Sequence, residues 1–184
     1  MGMGNVENMM YSIIPFVVST LMSMTSITSC SISMEGKTFW QIQTLPIRNR
    51  EVYLGKILAN LIVAAPFYII SVFFICLSVP ADVLTYIKIA IVPAVYLLFT
   101  ATVGIRVNLK FPVLNWDNEV RVVKQSASTM LCMLIGVLAN LIPIGAILIL
   151  GSQYADIVIV TVIALVGITT LVVYHKLEKK KIDV

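Results

Sequence analysis

The sequence predicts an all-α fold, a polytopic bundle of membrane-spanning helices, and three observations carry that expectation. Only 12% of its 184 residues are charged against 59% hydrophobic, whereas soluble domains carry about a quarter charged residues. Too little polar surface remains to cover a soluble globule, and the mean hydropathy is +0.99. Five charge-free windows are long enough to cross a bilayer, which takes about 20 apolar residues as a helix. These windows are continuous apolar runs without the period-2 alternation of a membrane barrel, so strands are not expected.

The expected spans cover residues 10–31, 57–79, 89–105, 130–150 and 157–174. The first is rich in Ser, Thr and Met rather than Leu, Ile and Val. Its Ser19, Ser23, Ser26, Cys30 and Ser33 recur at spacings of three and four, which places them on one helix face. Such a face packs closely against a neighbouring helix or lines a polar route, and packing is the commoner use. Pro15, Pro66, Pro93 and Pro143 each fall inside a span and predict kinks, tolerated where neighbours satisfy the freed carbonyls. The fourth window is longer than one span needs. Asn140, Pro143 and Gly145 mark it as the expected place for irregular backbone.

Lysine and arginine placement sets the expected orientation. Lys37, Arg48, Arg50 and Lys56 lie between the first and second spans. Arg106, Lys110, Arg121 and Lys124 lie between the third and fourth, and Lys176, Lys179, Lys180 and Lys181 follow the fifth. Loops 34–56 and 106–125 and the tail 175–184 are therefore expected in the cytoplasm. The N-terminus and the links Pro80–Lys88 and Gly151–Asp156 are expected outside, with Lys88 the one basic residue that departs from the pattern. The result is a multi-pass protein of the cell membrane forming one domain, residues 1–184.

Within loop 34–56, Met34 to Leu45 reads as an interfacial element, because Phe39 and Trp40 settle at headgroup level. Pro46 ends it. Asn49 is expected to cap the next helix, with Glu51 in its first turn. In loop 106–125, Pro112 ends the preceding element and Asn115 or Asp117 is expected to cap a short helix whose apolar side is Val120, Val122, Val123 and Ala127. The basic tail suits an anionic leaflet surface. The lone His175 has no partner for metal binding, and Cys30, Cys76 and Cys132 read as small buried thiols.

Several function classes are disfavoured. The basic residues form short patches rather than one face for nucleic acid. No GxxxxGK loop is present for ATP binding. The spans hold no charged residue and no histidine for intramembrane catalysis or proton coupling. No enzymatic activity, cofactor or metal is expected, and any energy input would arrive through the cytoplasmic loops.

Those loops carry a family resemblance. Ser33, Glu35, Gly36, Lys37, Phe39, Trp40, Leu45, Pro46, Ile47, Glu51, Gly55 and Lys56, together with the later run FPVLNWDNEVRVVKQSAS, resemble the permease subunits of ABC-2 type exporters. The closest likeness is to the ABC exporter permeases common in Gram-positive bacteria. Members of that family are longer, with more spans upstream, so the resemblance implies that this chain corresponds to the C-terminal portion of such a permease. It also implies a cytoplasmic ATP-binding subunit as partner, and further permease helices or a second permease copy in the bilayer. Glu35, Lys37, Trp40, Pro46 and Lys56 are the coupling candidates carried over from it. The alternative is a non-transporting membrane protein, an assembly or regulatory partner using the same loops.

Overall fold

The structure, a computed structural model, describes residues 3–44 and 46–179, and their side chains except at positions 3–6, 37, 39, 42, 43, 121, 124 and 125. The described chain is all-helical. In chain order it forms α1 (Met3–Ser23), two 3-10 stretches (Ile27–Ser29 and Ser33–Thr38), α2 (Phe39–Thr44), α3 (Asn49–Ser78) and α4 (Val83–Lys110). There follow α5 (Glu119–Gln125), α6 (Ala127–Leu150), a 3-10 turn (Ser152–Tyr154) and α7 (Ala155–Glu178).

Among the described residues, α3, α4, α6 and the stretch Ser152–Glu178 are long and apolar enough to cross a membrane. At about 1.5 Å per residue, α3 and α4 exceed the roughly 30 Å of a hydrocarbon core. Their length leaves room for charged residues near the helix ends to sit at or beyond the edges of that layer. This is how Lys56 and Arg106 belong to helices without lying at mid-membrane. Lys88, expected in a link, belongs to α4, which begins at Val83.

Helix α4 is the centre of the bundle, packed against α1, α3, α6 and α7. Of its apolar window 39% is buried, against 6% for α3, which lies at the periphery. One core cluster joins Phe16, Val92, Tyr96, Phe99, Ile147 and Ile159. Its aromatic rings meet edge to face, Phe16 to Tyr96 at 6.3 Å and Tyr96 to Phe99 at 6.4 Å. A second cluster, towards the basic end, joins Ile32, Tyr53, Ile57, Ile105, Leu109 and Leu177. Polar residues line the seam between α1, α4 and α6, where Ser19, Ser23, Thr100, Ser128 and Asn140 are buried.

Two expectations about backbone fail in complementary ways. The first span was expected to run to residue 31, but α1 ends at Ser23 and gives way to turns and 3-10 geometry through Thr38. Irregular backbone was expected around Asn140 to Gly145, but α6 runs unbroken through Pro143. The reason is local. Proline at 143 frees the carbonyl of Ala139 four residues earlier, and the Tyr96 hydroxyl donates to that carbonyl at 2.8 Å. Asn140 donates to the Gly136 carbonyl of its own helix at 2.8 Å.

Helix starts differ from the expected caps. Asn49 is the first residue of α3, and Arg48 holds the cap position without a side-chain cap bond. Asn118, not Asn115 or Asp117, caps α5, its side chain accepting from the Val120 amide at 2.9 Å. Of the expected apolar side of α5, Val122 is buried, Val120 and Val123 are exposed, and Ala127 belongs to α6. Ser126 ends α5 and caps α6, accepting from the Thr129 amide at 3.2 Å.

Candidate functional site

The break after α1 is where the polar chemistry of the molecule collects. Residues 24–38 leave the α-helical ladder inside the bundle, so their amides need partners from elsewhere. Two asparagines supply them. Asn60 of α3 accepts from the Ile27 amide at 2.8 Å. Asn108 of α4 accepts from the Ile32 and Ser33 amides at 2.8 and 3.1 Å. The Asn108 amide nitrogen donates to Ser33 Oγ at 2.8 Å and Ser128 Oγ at 2.9 Å. Both donors and both lone pairs of this fully buried side chain are thereby used.

Ser33 is the hub of the junction. Its Oγ accepts from the Val113 amide at 3.0 Å, and its carbonyl accepts from Trp116 Nε1 at 2.7 Å. The loop after α4 is therefore pinned to the break. Three residues on, Gly36 takes φ 51° and ψ −128°, a conformation that side chains disfavour. A Cβ there would stand 3.0 Å from the Trp116 indole nitrogen, so indole and turn fit only with glycine.

Close packing fixes the other wall. A Cβ on Gly104 would come within 2.5 Å of Thr28 Oγ1 and 3.0 Å of the Ser29 amide. One on Gly136 would come within 2.8 Å of Ser23 Cβ. The small residues of the first segment thus allow backbones to approach, as expected of a packing face. They do not share one helix face, however. Ser19 and Ser23 lie on α1 and donate to the carbonyls four residues back, at 2.7 Å each. Ser26, Cys30 and Ser33 lie on the broken stretch beyond it. The serine periodicity continues in the sequence after the helix itself has stopped.

The five coupling candidates divide. Glu35 and Lys56 form an ion pair with side chains only 22% and 14% exposed, and Lys56 also donates to the Ser31 carbonyl at 3.1 Å. This pair ties the break to the start of α3. The second carboxylate oxygen of Glu35 is buried without a hydrogen-bond partner among the described residues. Trp40, 58% exposed, lies on α2, and Pro46 is exposed in the turn before α3. The Lys37 side chain and Leu45 lie outside the described residues. Helix α2 is shorter than the interfacial element expected from Met34 to Leu45, because the chain up to Thr38 is 3-10.

Asn60, Asn108, Trp116 and Ser128 escaped the sequence reading. The signal available was an asparagine within an apolar run, since a lone amide at membrane depth requires partners. Asn108 was assigned to a loop because Arg106 and Lys110 flank it, whereas α4 continues to Lys110.

Both ends of α7 are tied as well. Arg50 reaches Glu178 at 3.4 Å at the basic end, and Lys88 pairs with Asp156 at the opposite end. An apolar cavity of about 450 Å³ lies beside the break, lined by Met24, Ile27, Cys30, Met34, Val123 and Met133 among others.

No curated protein matches the chain. No solved structure matches it either. A family model described as "Membrane protein of 12 TMs" matches residues 2–174. With that match over nearly its whole length, the chain belongs to this family of multi-span membrane proteins.

Proposed function

We propose that the chain is a membrane-spanning permease component of an ATP-driven exporter, driven by a separate ATP-binding subunit bound at the end that carries the basic loops. It performs no catalysis of its own in this reading. The supporting observation is the junction at Ser33. Residues 33–56 and 106–125, the two segments that resemble ABC-2 exporter permeases, converge there. Trp116 and Val113 hold the junction from one loop, and the Glu35–Lys56 pair holds it from the other. From Ser33 the contacts continue to Asn108, and the neighbouring 3-10 stretch packs Thr28 against Gly104, so a push at the junction has a contiguous route into the bundle. Trp40 and Pro46 stand exposed as the surface for the partner, while Glu35 and Lys56 act behind them as the transmitting pair. In this reading the basic loops and C-terminus are cytoplasmic and the N-terminus is outside.

The test is purification of the tagged chain from its native membranes in mild detergent. A co-purifying subunit bearing a GxxxxGK loop is expected. Trp40→Ala is expected to reduce its recovery. Glu35→Gln is expected to keep the subunit bound while ATP hydrolysis no longer responds to the membrane component. Recovery without any ATPase would overturn the exporter reading and favour an assembly or regulatory role. Orientation is checked by labelling single cysteines at positions 49 and 82 in a chain lacking Cys30, Cys76 and Cys132. Reaction at position 49 from outside the cell would overturn the coupling scheme.

A further inference from the structure

A polar cleft of about 330 Å³ opens at the end of the bundle away from the basic loops. Asn8, Tyr11, Asp82, Thr85, Lys88 and Asp156 are among its walls, brought together from α1, the α3–α4 turn, α4 and α7. This cleft also accounts for Lys88, the one basic residue that departs from the charge pattern. Its side chain is drawn in, 18% exposed, and is held by Asp156 across the opening. Asp82 has no ion pair or hydrogen bond from its side chain among the described residues and makes no cap bond to α4. Among the described residues, two carboxylates against one ammonium give the cleft lining a formal charge of −1.

That charge arrangement selects among ligands. A simple anion meets two carboxylates for one lysine. A simple cation gains nothing from Lys88. A zwitterion uses both signs, its ammonium against the unpaired Asp82 and its phosphate sharing Lys88 with Asp156. A primary ammonium fits better than a quaternary one. It can donate hydrogen bonds to Asp82 and Tyr11, whereas quaternary groups are held by cages of several aromatic rings, and among the described residues Tyr11 is the one aromatic lining this cleft.

A second observation points to a lipid rather than a soluble zwitterion. Leu84 lines the cleft and begins an exposed apolar strip on α4 with Ile87, Ile91 and Leu98. Their spacings of three, four and seven keep the strip on one helix face, and Lys88 sits on that face one turn beyond Leu84. On α7, Ile157 and Val160 are exposed beside Asp156. A headgroup in the cleft would thus have its acyl chains laid along an apolar track running into the membrane. We propose that this cleft is a headgroup site for an amine-bearing phospholipid such as phosphatidylethanolamine, independent of whether the chain acts as a permease.

The experiment titrates the purified, delipidated full chain with phosphatidylethanolamine, phosphatidylglycerol and phosphatidylcholine of matched acyl chains, reading bound lipid by native mass spectrometry. Phosphatidylethanolamine is expected to bind at about tenfold lower concentration than the other two, a difference of about 1.4 kcal/mol. Asp82→Asn, at an exposed position, should abolish that preference while thermal stability is unchanged. Lys88→Gln should weaken phosphatidylethanolamine without favouring phosphatidylcholine. Equal retention of all three lipids, preference for phosphatidylglycerol, or an unaffected Asp82→Asn variant would overturn the site. Glycerophosphoethanolamine competing at the same concentration as the lipid would overturn the lipid assignment in favour of a soluble zwitterion.

Discussion

The stretch from Met24 to Thr38 and the middle of α6 each fold against their own residues, one breaking without a helix breaker and the other continuing through one. Around Asn140, Pro143 and Gly145 the sequence carries the residues that interrupt helices, yet the helix continues. After Ser23 there is no proline until Pro46, and no glycine until Gly36, yet the helix stops. In α6 the lost hydrogen bond is replaced from outside by Tyr96, so breaking the helix would gain nothing. After α1, Asn60 and Asn108 offer acceptors to amides that α-helical geometry would have bonded internally. What neighbours offer to the backbone decides the break, more than the intrinsic preference of the residues within it.

The contrast can be broken most forcefully at Asn108. Asn108→Leu strips partners from the Ile32 and Ser33 amides and from two hydroxyls at once. Unsatisfied buried groups cost about 1–3 kcal/mol each, so a loss of about 3 kcal/mol or more is expected in reversible detergent unfolding. A loss under 1 kcal/mol would mean that the broken stretch does not depend on Asn108.

Gly104→Ala comes next. It forces a methyl against Thr28 Oγ1 and the Ser29 amide, and overpacking costs about 1–3 kcal/mol. Removing the hydroxyl with Thr28→Ala in the same chain should recover part of that loss, because the Ser29 contact remains. Full additivity of the two changes would show that they do not touch.

Tyr96→Phe tests the intact side of the comparison. It leaves the Ala139 carbonyl unpaired at a cost of about 1–2 kcal/mol. In a Pro143→Ala background the restored amide can take over that carbonyl, so the same substitution should cost less by about 1 kcal/mol. An unchanged cost in that background would separate the tyrosine from the proline. The smallest effect is expected for Gly145→Ala, where, its own helical turn aside, no atom of the described residues lies within 4 Å of the new methyl. Helix propensity alone favours it by up to about 1 kcal/mol. A destabilised Gly145→Ala would reveal a partner packed on that face.

Much of the architecture was legible from the sequence for a physical reason. The length of an apolar run and the places where charges gather are local properties, and a bilayer imposes both directly. The apolar runs that became α3, α4, α6 and α7 were visible in this way, with ends shifted by up to eight residues where the helices extend into charged flanks. Polar side chains were harder to place. Spacing placed Ser19 and Ser23 on one helix face, and their burial in the structure makes that face a packed one. Asn108 could not be assigned, because flanking charges suggested a loop and its partners lie elsewhere in the chain. The coupling candidates divide similarly, since neither the Glu35–Lys56 contact nor the exposure of Trp40 and Pro46 is written in the motif that named them.

By itself, then, the sequence determined that this chain is an all-helical membrane bundle with its basic residues concentrated in two loops and a tail. Hydrophobic length and the cost of burying charge act on each segment separately. Only the tertiary structure decided where the first segment breaks, that Ser33 joins the two loops, and that Lys88 is turned into a polar cleft. Those outcomes depend on hydrogen bonds and ion pairs between residues 33 to 83 positions apart, which no local pattern records.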